Sequence, residues 1–176
     1  MTGALPISTD RLLLRTYRES DLDDIHEYAR DPEVVRYLPW GPNTREATLE
    51  FLTKTIGSQD ELAIELKSDG RVIGGIRLGI KDEANRTADL GYVLNRRCWG
   101  RGYMPEAARA VVDLAFRVKG LHRVWAACDV RNQASYRVME KLGMRREAMF
   151  VKDCLQKGEW RNSYLYAILA EEWRTG

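Results

Sequence analysis

The sequence predicts an α+β fold, a mixed, mainly antiparallel sheet of about seven strands flanked by about four helices. Three observations carry this expectation. Segments with an apolar period of two, such as Asp10–Tyr17 and Thr87–Leu94, alternate with segments of helical period, the longest being Tyr103–Lys119. Asp69-Gly70 and Lys157-Gly158 lie between paired strand patterns and signal antiparallel hairpins. Residues 87–128 read strand, helix, strand, a crossover that sets its two strands parallel.

Taken in order, Asp10–Tyr17 is a strand with Leu12 and Leu14 on one side and Arg11, Leu13 and Arg15 on the other. Ser20-Asp21-Leu22-Asp23 reads as a helix start, and Leu22, Ile25, Tyr28 and Ala29 form the apolar stripe behind it. Asp31-Pro32-Glu33 restarts a short helix that Leu38-Pro39-Trp40-Gly41-Pro42 breaks, and Thr44–Ile56 is helical again. Glu61–Lys67 and Arg71–Ile80 form a hairpin, and a turn at Asp82–Arg86 leads into Thr87–Leu94. Tyr103–Lys119 carries Met104, Ala108, Val111, Ala115 and Val118 on one face and ends at Gly120. His122–Cys128 is the next strand and Asn132–Leu142 a helix stopped by Gly143; Met144–Leu155 and Trp160–Leu169 close the chain as a hairpin. No repeat, low-complexity tract or linker interrupts this order, so residues 1–176 read as one domain with its core at about 10–170.

Composition excludes several classes. With 28 basic and 26 acidic residues the formal charge is +2, too balanced for a general nucleic-acid-binding surface. No apolar run approaches the ~20 residues of a membrane helix. Met1–Ile7 lacks the basic and apolar regions of a signal peptide. Cys98, Cys128 and Cys154 are odd in number and far apart, which argues against a disulfide framework or zinc site and points to a reducing cytoplasm. His26 and His122 lie in unrelated segments, so no metal is expected.

The segment Leu90–Ala108 carries the chemistry. A strand runs into a loop with Gly100, Gly102 and the arginines Arg96, Arg97 and Arg101, and a helix opens at Tyr103. Unpaired N–H groups and the positive end of the helix dipole suit a phosphate there. A plain βα connection, whose glycines only shape the turn, is the competing reading. Pro105 stands where a dinucleotide fingerprint needs its third glycine, and no G-x-x-x-x-G-K-S/T run exists, so NAD(P) and ATP loops are excluded.

Arg97-x-x-Gly100-x-Gly102 resembles the R/Q-x-x-G-x-G/A pattern of the GNAT N-acetyltransferases, which bind acetyl-CoA. Other segments resemble the ribosomal-protein N-terminal acetyltransferase (RimJ/RimL-like) group within that family. They are Asp10-Arg11-Leu12-Leu13-Leu14-Arg15, Asp31-Pro32-Glu33-Val34, Leu38-Pro39-Trp40, Leu90-Gly91-Tyr92, Trp99–Tyr103 with Glu106-Ala107, Asn132–Ser135 and Glu140–Met144. The resemblance spans residues 10–170 and implies a GNAT-type fold with acetyl-CoA as co-substrate.

It also implies roles. The backbone from Arg97 through Cys98, Trp99, Gly100, Arg101 and Gly102 to Tyr103 would hold the CoA pyrophosphate; a Cβ at either glycine would obstruct close approach. Tyr92, Val93 and Leu94 would line the pantetheine arm, with an N–H near Val93 polarising the thioester carbonyl. Asn132 reads as a helix N-cap and, by resemblance, as a hydrogen-bond partner of the arm; Ser135 matches the group's residue near the leaving sulfur. Met139 occupies the position where many GNAT enzymes have a tyrosine. Asp89 is the first candidate for general base, against the alternative of a solvated strand carboxylate. Trp40 reads either as core packing or as a wall of the acceptor pocket; Trp99, Trp125, Trp160 and Trp173 read as packing.

The expected function is direct transfer of acetyl from acetyl-CoA to a primary amine, a protein N-terminal amine by group resemblance. A small amine or aminoglycoside acceptor and a non-catalytic CoA-binding sensor are the alternatives. No nucleic-acid or membrane partner is expected. Group resemblance raises a homodimer, with Tyr164, Tyr166 and Trp173 as interface or as core. Glu147-Ala148 and Trp160-Arg161-Asn162 depart from the group's Glu-Gly and Trp-Arg-Asp.

Overall fold

Eight strands, β1 (Ile7–Ser8), β2 (Leu12–Thr16), β3 (Glu61–Leu66), β4 (Val72–Asp82), β5 (Thr87–Leu94), β6 (Arg123–Asp129), β7 (Arg145–Gln156) and β8 (Glu159–Leu169), lie in one sheet in the order β1-β2-β3-β4-β5-β6-β8-β7. The helices are α1 (Leu22–Ala29), α2 (Pro32–Val35), α3 (Arg45–Thr55), α4 (Tyr103–Asp113) and α5 (Gln133–Lys141). The computed structural model describes residues 5–173. Residues 1–4, where most of the signal-peptide reading falls, lie outside that range. The mixed α+β architecture is the expected one, with one more strand and one more helix. The extra strand, β1, is two residues long, too short to show a period, and is found only through its pairing of Ile7 with Leu14.

The chain divides into two compact units, Met1–Arg77 with Tyr92–Ala110, and Leu78–Gly91 with Val111–Gly176. In the first, β2 pairs antiparallel with β3, and β3 with β4. Leu12, Leu14, Ala63 and Ile64 are fully buried, and Tyr17, Ile25, Tyr28, Leu52 and Val72 pack in one cluster. Helix starts follow the sequence signals: Asp31 accepts the Glu33 N–H (3.0 Å) and Thr44 the Ala47 N–H (3.2 Å). Within the Ser20–Asp23 helix start, Asp21 accepts the Arg18 N–H (2.8 Å) rather than an N–H of α1. Its carboxylate is turned to Arg15, with Nη1–Oδ2 2.8 Å and Nη2–Oδ1 2.9 Å, both side chains being about 5% exposed. Arg15 is completed by Glu65 and by the Thr16 carbonyl, and the hydrogen bond with Asp21 pushes its ionisation above the ordinary guanidinium range despite burial.

Two adjacent glycines of β4 make this unit possible. A bulge between Ile64 and Glu65 in the β3–β4 register throws the strand out of step next to Gly74. A Cβ on Gly74 would lie 2.3 Å from the Val93 carbonyl oxygen, and one on Gly75 would lie 2.2 Å from the Tyr17 hydroxyl. The Asn95 N–H donates to the Ile73 carbonyl (2.7 Å), so the end of β5 is seated against this stretch. Gly74→Ala must displace backbone rather than a flexible side chain, and overpacking of that kind costs about 1–3 kcal/mol. An unfolding free energy from urea melts below wild type by that amount is the expected result.

In the second unit, β5 and β6 pair in parallel from Thr87↔Arg123 to Asp89↔Trp125, and β8 lies antiparallel between β6 and β7. The parallel pair is the one the strand-helix-strand pattern requires. Lys157 and Gly158 both have positive φ (51° and 80°), as the two-residue hairpin turn demands. After Asp113 the α4 helix widens into one π turn at Leu114–Val118, and Gly120 ends it with φ 63°. Tyr136, Tyr164 and Tyr166 form an aromatic cluster, and Trp173 donates to Asp113 (2.7 Å), so these side chains pack within their own chain. Trp99 and Trp160, expected to pack, are 45% and 60% exposed; an isolated tryptophan in a sequence does not report which side of a strand or loop it occupies.

Candidate active site

The loop after β5 is built from the backbone outward. Asn95 accepts the Arg97 N–H on its side-chain oxygen (3.0 Å) and so starts a single 3₁₀ turn at Arg96–Cys98. Cys98 is buried beneath it, and Trp99 hangs its indole N–H on the Leu94 carbonyl (2.8 Å). Gly100 and Gly102 then take positive φ of 74° and 79°, and α4 opens at Tyr103. Nothing lies within 4 Å of a Cβ built on Gly100, and only Arg11 Nη2 (3.4 Å) meets one on Gly102. Both glycines are exposed. Left-handed glycines leading into a helix N-terminus leave that end's amides accessible, an arrangement suited to an anion.

Two of the loop's arginines are held in ion pairs. Arg96 Nε lies 3.0 Å from Asp31, and Arg97 Nη1 lies 3.1 Å from Glu27. Glu27 also receives Asn95 Nδ2 (3.2 Å) and Arg71 Nη2 (3.1 Å). Both arginines are well exposed, and exposed pairs hold by no more than about 1 kcal/mol, weak enough for a phosphate to compete. Arg101 contributes its carbonyl to Arg11 Nη1 (2.9 Å). Tyr92, Val93 and Leu94 are half-buried at the end of β5. Trp40, in the same unit, is 38% exposed between Pro39 and Gly41, so it is not a core residue.

In the second unit, Asp89 is buried (8% exposed) with Lys81 Nζ 3.5 Å from its Oδ2, which removes the solvated-carboxylate alternative. The β5–β6 ladder ends at Asp89 itself. Asn132 caps α5 by accepting the Ser135 N–H (3.2 Å), and Ser135 also shares a hydrogen bond with Cys128. Burial pushes the Cys128 thiol up to about 11, against that hydrogen bond, which lowers it. Burial likewise raises the Cys98 thiol. Both are protonated at neutral pH and poorly suited to carry an acyl group. Met139 is buried at the position noted for its missing tyrosine.

Sequence reasoning missed three features here. The Gly74-Gly75 pair carried a usable signal, since glycines inside a strand pattern mark a bulge or close backbone approach. Asp129, buried under Arg131 (2.9 and 2.7 Å) with Arg161 at 3.6 Å, fixes the turn into α5; its burial and the Arg161 contact show only in the tertiary fold. The third is the bond set from Thr9 and Arg11 to Glu106, taken up below. Among the described residues, no cluster of His, Cys, Asp and Glu could hold a metal ion, and no helix is long and apolar enough to cross a membrane.

Comparison with known proteins agrees with this geometry. Residues 11–145 match the family model described as an acetyltransferase (GNAT) domain. The chain is 40% identical over 169 residues to the uncharacterized N-acetyltransferase YnaD of Bacillus subtilis (strain 168), covering 95% of this chain and 98% of that one. It superposes with a TM-score of 0.90 and 38% identity on the crystal structure of a GNAT-family acetyltransferase from Bacillus anthracis, covering 96% of this chain and all of that one. More distant likenesses of fold include ribosomal-protein-S5-alanine acetyltransferase from Vibrio fischeri (TM-score 0.79, 22% identity, covering 98% and 100%). Another is spermidine N-acetyltransferase from Vibrio cholerae in complex with CoA and spermine (TM-score 0.79, 20% identity, covering 93% and 98%). A family match across most of the chain and a relative similar along nearly its whole length lead to one conclusion: this chain belongs to the GNAT family of acetyltransferases, enzymes that use acetyl-CoA.

Proposed function

We propose that the chain, acting as one domain over residues 1–176, transfers acetyl from acetyl-CoA directly to a protein N-terminal α-amine. The observation that carries the donor half is the exposed Gly100–Gly102 turn with positive φ at both glycines, running straight into α4. On this reading the amides from Arg97 to Tyr103 hold the pyrophosphate, and Tyr92, Val93 and Leu94 take the pantetheine arm. Asn132 bonds the arm, and Ser135 hydrogen-bonds the departing sulfur. The amine nitrogen forms a bond to the acetyl carbon as the C–S bond breaks. Its proton passes to Asp89 through water, and that proton, returned through water, converts the departing thiolate to CoA thiol. The raised thiols of Cys98 and Cys128 support transfer without an acyl-cysteine. Trp40 walls the acceptor side.

The acceptor rests on the RimJ/RimL-like segments and on the Vibrio fischeri likeness. A polyamine acceptor is the second reading, favoured by the Vibrio cholerae enzyme captured with spermine. Free-thiol release from acetyl-CoA, followed with peptides bearing free N-terminal alanine or serine, with spermidine and spermine, and with an aminoglycoside, separates these. Fastest release with the peptides is expected. Fastest release with a polyamine overturns the acceptor, and no release with any amine, while CoA still binds, leaves a sensor. With the best acceptor, Ser135→Ala and Asp89→Asn should each lower kcat at least tenfold; wild-type behaviour removes the corresponding role.

A further inference from the structure

The donor loop is gripped from a segment more than ninety residues away. Glu106 sits in the first turn of α4, where its N–H donates to the Gly102 carbonyl (3.2 Å). Its carboxylate receives the Thr9 hydroxyl (2.6 Å), the Arg11 N–H (2.9 Å) and Arg11 Nε (2.7 Å), with Arg11 Nη2 at 2.7 Å. The remaining arm of the guanidinium, Nη1, donates to the Arg101 carbonyl (2.9 Å), and the plane lies over the Tyr103 ring at 4.4 Å. One side chain therefore touches Arg101, Tyr103 and Glu106 and limits the space beside Gly102. Burial pushes the Glu106 carboxyl up, but the bonds from Thr9 and Arg11 outweigh it and hold the group below its ordinary range, so it is ionised at neutral pH.

That negative charge has an awkward address. A carboxylate in the first turn of α4 occupies the positive end of the helix and repels any other anion offered there. Arg11 offsets the charge at contact distance, and its remaining nitrogen holds the Arg101 carbonyl in a hydrogen bond. Arg11 is 47% exposed and Glu106 only 18%. We propose that Arg11 is a positioning residue for donor binding, which neutralises Glu106 and orients the Arg101–Tyr103 backbone to receive the pyrophosphate of CoA.

The inference rests on the loop being the pyrophosphate site, and the test separates the two. Calorimetric titration with CoA is expected to show Arg11→Gln binding about tenfold more weakly than wild type and Arg11→Lys, which keeps charge but cannot make the forked contact, about threefold. The melting temperature should stay within a few degrees of wild type. The deciding variant is Arg11→Gln with Glu106→Gln. Removing the stranded charge should bring CoA affinity back toward wild type, whereas a purely structural role makes the double variant bind no better than the single one. Unchanged affinity in Arg11→Gln, no recovery in the double variant, or a loss that tracks a collapse in melting temperature overturns the proposal. Gly102→Val, titrated alongside, reports on the loop itself. If it also binds CoA normally, the pyrophosphate assignment has failed; if it alone loses affinity, only the role of Arg11 has.

Discussion

Asp21→Ala is expected to lower folding stability by about 3–5 kcal/mol, the range for stripping one partner from a buried ion pair. The pair is buried on both sides and forked, two guanidinium nitrogens meeting two carboxylate oxygens. Asp21 also accepts the Arg18 N–H (2.8 Å), so its loss frees a backbone donor as well. Arg15 cannot escape by losing its proton, and Glu65 and one carbonyl are then its remaining partners here. For a chain of this length the change corresponds to a fall in melting temperature of roughly 6–20 °C. Asp21→Asn, which keeps the shape and one acceptor, should fall between. Paired urea melts give the answer, and a loss under about 1 kcal/mol would mean the pair behaves as a surface bridge.

Gly102→Val is expected to weaken CoA binding at least tenfold, about 1.4 kcal/mol, while the fold survives. Gly102 has φ 79°, a region in which a β-branched residue is strained by about 1–3 kcal/mol. The exposed loop can relieve that strain by rotating its peptides, which moves the amides that open α4. The new side chain also presses toward Arg11 Nη2. Because little of the core is involved, circular dichroism and the melting curve should change slightly. Titration calorimetry with CoA checks the prediction, and wild-type affinity would remove the loop from the donor site.

What the sequence made legible was local. The hairpin at Lys157-Gly158, the helix start at Asp31, the cap at Asn132 and the stop at Gly120 depend on residues within one turn of each other, and the structure has each of them. The glycine loop was legible for the same reason. Partners chosen across long separations were not. Asp21 lies in a helix-start signal, and its pairing with Arg15 shows only in the fold. Arg96 and Arg97 look like free charge, yet they meet Asp31 and Glu27. Asp89 looks solvated on an alternating strand, but packing buries both faces of β5 at that point. In each case the local pattern fixes the backbone, and tertiary packing decides where a charged group finds its counterpart.

Gly74 and Gly75 bear on how this protein can vary. Successive strand residues face opposite sides of a sheet, so the two adjacent positions surrender a side chain on both sides at once, one to a neighbouring peptide and one to a tyrosine hydroxyl. For that span the wall between the two faces is a single peptide thick. A substitution at Gly74 cannot be compensated by trimming a side chain, because the obstruction there is main chain, whereas at Gly75 it is the Tyr17 hydroxyl. Gly74 is therefore a position that this backbone arrangement holds to glycine.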